Sequence, residues 1–130
     1  MSKQIKNRIK GLGLAAMLVL LGAQSVSAEQ LSYDDAVKCS AYFLTTSALL
    51  EMTDNKPMAS QYESAAEYFY GESSRLANGK SDEQVEQAIM STADTMADVV
   101  IQDMDNYAKL ESLYENSCIA KAEATMASAN

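Results

Sequence analysis

The chain has 130 residues, with 10 Lys and Arg against 18 Asp and Glu, no His, no Trp, one Pro and two Cys. That length suits one domain around one core, and the missing histidine excludes a Ser–His–Asp triad, a Cys–His pair and His-ligated zinc or haem. All 18 acids but only six of the ten basic residues follow residue 28, a net charge of −12 on that portion, which excludes a surface built to hold nucleic-acid phosphates.

Lys3, Lys6, Arg8 and Lys10 form a positive start, an apolar stretch over 12–21 follows, and Gly22, Gln24 and Ser25 break it. Val26 and Ala28 stand at −3 and −1 of a cut before Glu29. This is the pattern of a secretory signal peptide over 1–28, cleaved after Ala28. Its apolar part is about ten residues, half of the roughly 20 that a membrane span needs, so no stable membrane anchor is expected. The expected compartment is the periplasm or the outside of the cell, with 29–130 as a single helical domain.

Strand signals are absent from 29–130 and helical signals are plentiful. Ser32 with Asp35 reads as a capping pair opening a helix over about 33–52. Thr53-Asp54-Asn55-Lys56 is a loop, and Pro57 suits the first turn of a second helix over about 57–77. Met58, Tyr62, Ala66, Phe69, Ser73 and Leu76 form its apolar stripe, and Asn78-Gly79 ends it. Ser81 with Gln84 opens a third helix over about 82–103, with the stripe Val85, Ile89, Thr92, Met96, Val99 and Val100. Asp103 would spoil that stripe if the helix continued, and Asp105-Asn106 is cap chemistry. A fourth helix over about 106–126 carries Tyr107, Leu110, Tyr114, Ser117, Ala120 and Ala124 as its stripe.

Cys39 lies about two turns from the start of the first helix and Cys118 about two turns from the end of the fourth. In an up-down-up-down four-helix bundle these levels match. One continuous rod from Asp82 onward would put Cys118 roughly 50 Å along it, out of reach. An exported protein with two cysteines oxidises them. A Cys39–Cys118 disulfide and a chain reversal near 104–106 are therefore expected. The bridge is read as a staple, not a redox pair, because nothing basic flanks Cys118 to lower a thiol pKa.

The first helix has no charge over 39–50 and is apolar nearly all round, so it must be overlaid by neighbours or meet a partner. The third helix carries a second apolar line, Met90, Ala97 and Ile101. Tyr68, Phe69 and Tyr70 cannot all face inward, since helix neighbours differ by about 100°. With Phe69 inward, Tyr68 projects among Gln61, Ser64, Glu72 and Arg75. Tyr68, Tyr70, Met90 and Ile101 are the candidate interaction surface. The six methionines after residue 28 are too scattered for copper and read as core filler. Asp94 and Asp98 read as a solvated face, and Asp103 as a helix end instead of a catalytic acid.

No catalytic constellation, metal motif or cofactor motif is present. The expected function is non-enzymatic: binding another protein in the cell envelope, as small acidic envelope proteins of the inhibitor, immunity or chaperone kind do, an analogy of class alone. A basic partner suits the acidic surface, and a homodimer is a further expectation. The alternative is a small-ligand carrier with a site between the helices, lined by Tyr42, Phe43 or Phe69.

Overall fold

The computed structural model describes residues 30–129, so the signal-peptide reading lies outside the described residues. Four helices follow one another: α1 Tyr33–Met52, α2 Lys56–Leu76, α3 Asp82–Gln102 and α4 Asp105–Ala129. Their ends are set by local chemistry. Ser32 Oγ accepts from Asp35 N at 3.1 Å and opens α1. Pro57 sits in the first turn of α2, where its missing N–H costs nothing. Gly79, at φ +82°, carries the turn after α2. Ser81 and Gln84 exchange both bonds of a capping box at the start of α3.

Between α3 and α4 the chain breaks as the misplaced acid predicts. Asp103 has an extended backbone, and its Oδ1 accepts from Asp105 N at 3.0 Å, so the carboxylate serves a helix start. Asn106 Nδ2 ties the turn back to Val99 O at 2.9 Å.

The architecture is an all-α four-helix bundle with α1 at its centre, packed against each of the other three. Side-chain bonds fix the directions. Ser40 Oγ donates to Ala66 O and Ser47 Oγ to Ala59 O, the register of an antiparallel α1–α2 pair. Thr45 Oγ1 reaches Ala93 O on α3, which runs parallel to α1. The α1–α4 pair is antiparallel. Asp35 meets Lys121, Cys39 meets Cys118 and Tyr42 meets Glu115 in one register. The Cys39–Cys118 disulfide is formed, with Cα atoms 5.7 Å apart.

Small residues explain the close α1–α2 seam. Ser40, Ala41 and Ser47 on one side and Ala59, Ser64, Ala65 and Ala66 on the other are all buried. They let the backbones approach, and each buried hydroxyl that bonds a carbonyl across the seam avoids an unpaired-donor penalty of about 1–3 kcal/mol.

Two sequence expectations hold only in part. Methionine fills the core at Met96 and packs against it at Met126, but Met52, Met58, Met90 and Met104 are exposed. Three of these stand at a helix end or in the α3–α4 turn. The α4 stripe holds at Tyr107, Leu110 and Tyr114, which pack against the core, but not at Ser117, which is exposed, while Cys118 and Ala122 are the fully buried positions. The disulfide turns Cys118 toward α1, so the residue one step earlier faces away and the one four steps later follows it inward.

Candidate functional site

Two places hold chemistry that helix packing alone does not require. One is internal, and the other lies on the outer face of α3.

The internal place joins α1, α2 and α4. Glu115 Oε1 accepts from Tyr42 Oη at 3.0 Å and from Tyr62 Oη at 2.9 Å. The Tyr107 hydroxyl lies 3.3 Å from the Tyr42 hydroxyl and donates to Thr46 Oγ1 at 3.3 Å. Tyr42 is fully buried, and its ring packs near Tyr107, Tyr114 and Phe43. Burial first, then the hydrogen bond with Tyr107 and the nearby charge of Glu115, pushes its phenol above the usual tyrosine range. Tyr42 therefore stays a neutral donor. One carboxylate thus ties together hydroxyls from two other helices, while α2 and α4 meet through long side chains of this kind.

Sequence reasoning missed this cluster, although a signal for it existed. Once Cys39 is paired with Cys118 in an antiparallel register, three residues forward on α1 is Tyr42 and three back on α4 is Glu115. The rings proposed to line a ligand site are in mutual contact. Phe43 and Phe69 stack with centroids 5.5 Å apart, and Tyr42 packs edge-on to Phe43 at 5.1 Å.

Below this cluster, Lys121 pairs with Asp35 at 3.0 Å. Burial would raise the Asp35 carboxyl. Hydrogen bonds from Lys121 and Ser32, with the Lys121 charge, outweigh burial and hold it below the usual carboxylate range. Leu31 N donates to Thr125 Oγ1 at 3.1 Å, and Gln30 Nε2 donates to Ser128 Oγ.

The four candidate interaction residues divide into two kinds. Tyr68 and Tyr70 on α2 are partly buried and packed against the core. The Tyr68 ring meets Phe69 edge-on at 5.1 Å. Burial, then the Glu72 charge, lifts its phenol to about 12. Met90 and Ile101 on α3 are exposed, Ile101 to 70%. Asp94 and Asp98 lie exposed on the same helix, as do Asp103 and Asp105 around the turn. No group of three or more potential metal-binding side chains gathers among the described residues. Among the same residues no helix is long and apolar enough to cross a membrane. No protein-family model, curated protein or solved structure matches this chain.

Proposed function

We propose that this is an exported, non-enzymatic helical protein that acts by binding another protein in the cell envelope, in an inhibitor, immunity or chaperone-like role. The observation that carries the reading is the outer face of α3, where Met90 and Ile101 stand in solvent on a rigid helix whose other side is buried in the core. Large apolar side chains kept on a fixed surface are what a protein interface uses as anchors. The signal-peptide pattern of 1–28 supports export, and the Cys39–Cys118 bridge suits an oxidising compartment.

A photoreactive residue placed in turn at Ile101, Glu63, Leu113 and Lys38, all exposed, tests the reading in an envelope extract. A discrete cross-linked adduct from at least one of these positions is expected. Absence of an adduct from all four, on helices that retain their circular dichroism, overturns it.

A further inference from the structure

The outer face of α3 carries more than its two apolar residues. Glu83, Glu86, Met90, Asp94, Asp98 and Ile101 are all exposed and advance by three or four residues at every step, so they share one sector of the helix. The core residues Val85, Ile89, Ala93, Met96 and Val100 occupy a different sector. Met90 and Ile101 stand about 16 Å apart along the axis at 1.5 Å per residue, and Asp94 and Asp98 lie between them.

The charge on this face has one sign. Between Lys80 and Lys109 the chain has seven Asp and Glu and no Lys or Arg. The ion pairs Asp34–Lys38, Glu72–Arg75 and Lys121–Asp35 lie on the other three helices. No ion pair engages Glu83, Glu86, Asp94 or Asp98 among the described residues. On α1 and α2 at least one acid is answered by a cation of the same chain, and α4 contributes the cation Lys121 to such a pair. On α3 none is.

The geometry points to this face of α3 as the docking site for a cationic amphipathic helix of a partner protein, with Met90 and Ile101 meeting its apolar stripe and Glu83, Glu86, Asp94 and Asp98 meeting its Lys and Arg residues. The inference rests on the protein-binding reading and names the chemistry of the partner. A second copy of this chain is the poorer occupant, because two α3 faces would bring the same unpaired carboxylates together, and like charges across an interface are costly. A cationic amphipathic helix presents both required chemistries on a matching period. The acids would speed encounter and make it salt-sensitive, and the two apolar side chains would slow dissociation.

The test titrates the oxidised protein into a dye-labelled helical peptide of Leu and Lys, about fourteen residues or four turns long, with Leu at spacings of three and four. Fluorescence anisotropy is read at low and high salt. A scrambled peptide of equal composition and a version with Glu in place of Lys are the controls. Binding of the amphipathic Lys peptide alone, weakened at high salt, is expected. Ile101→Ser should weaken it about tenfold, the loss typical of truncating an interface anchor. Asp94→Asn with Asp98→Asn should weaken it far more than Glu63→Gln with Glu67→Gln, an equal charge change on α2.

Equal effects of the two double variants, or equal binding of the scrambled peptide, would mean general charge attraction and would overturn the site. A dimer in light scattering that Ile101→Lys dissociates would assign the face to a second copy and also overturn it. If photo-crosslinks form from Glu63, Leu113 or Lys38 but not from Ile101, protein binding stands and this site fails. If none forms anywhere, the broader reading fails as well.

Discussion

α1 and α3 begin with the same peculiarity and resolve it in opposite ways. Each carries more apolar residues than one buried stripe needs. In α1 the surplus is consumed inside the molecule: Ala36, Val37, Cys39 to Phe43 and Thr45 to Ser47 are all buried, because α2, α3 and α4 each cover part of it. In α3 the surplus stays outside, at Met90 and Ile101. The sequence holds the discriminator. No charge interrupts α1 over 39–50, whereas Asp94 and Asp98 stand between the outer apolar residues of α3. A buried unpaired carboxylate is too costly to keep, so acids interleaved with an apolar line mark it as solvent-facing.

The contrast can be broken most severely from the α1 side. Phe69→Ala removes the ring stacked on Phe43 in a fully buried site and should cost about 3–5 kcal/mol in urea unfolding. Reduction of Cys39–Cys118 frees α4 from α1 across a separation of 79 residues. The chain-entropy estimate is about 4–5 kcal/mol, with measured values commonly lower, so a midpoint shift next in size to that of Phe69→Ala is expected between oxidised and reduced protein.

Glu115→Ala tests the polar tie between α1, α2 and α4. It removes the acceptor that the hydroxyls of Tyr42 and Tyr62 share, and a loss of about 1–3 kcal/mol is expected. Amide hydrogen exchange should rise first in the N-terminal half of α4, and uniform exchange across all four helices would argue against a local tie.

A smaller effect belongs to Asp35. Its carboxyl is held below the ordinary range, so its stabilising contribution is full above the unfolded pKa, near 4. That contribution is lost as pH falls through the lower folded value. Asp35→Asn should therefore cost up to about 1 kcal/mol near neutral pH, for a pair that is partly exposed, and should flatten the acid limb of the stability curve. An unchanged acid limb would show that the Lys121 pair contributes nothing. The smallest effect completes the comparison. Ile101→Ser should change stability by less than about 0.5 kcal/mol, since its side chain already stands in water. A larger loss would mean that α3 buries this residue and that the contrast with α1 is false.

Much of the frame was legible because it is written in short-range chemistry. Ser32, Pro57, Gly79 and the Ser81–Gln84 box each act within one turn of their own position, so reading the helix ends needs no knowledge of the fold. The Asp103 break was legible for the same reason. The disulfide was legible at longer range because only one chain path brings the two cysteines level. The phase of α4 was legible only in its first half, where Tyr107, Leu110 and Tyr114 pack against the core. Farther on its apolar residues are sparse, and the bridge to α1, not periodicity, decides that Cys118 and Ala122 turn inward and Ser117 outward.

The sequence by itself therefore determined the four helices, the break between the last two and the excess of negative charge, all properties of composition or of neighbours a few residues apart, and the cysteine pairing, which followed from the helix lengths and the chain reversals between them. Tertiary structure alone decided how much of each helix its neighbours would cover, that Tyr68 would lean on the core, and that Glu115 would gather the hydroxyls of Tyr42 and Tyr62. Those outcomes depend on how many helices surround each face, and that number is fixed only when the whole chain packs.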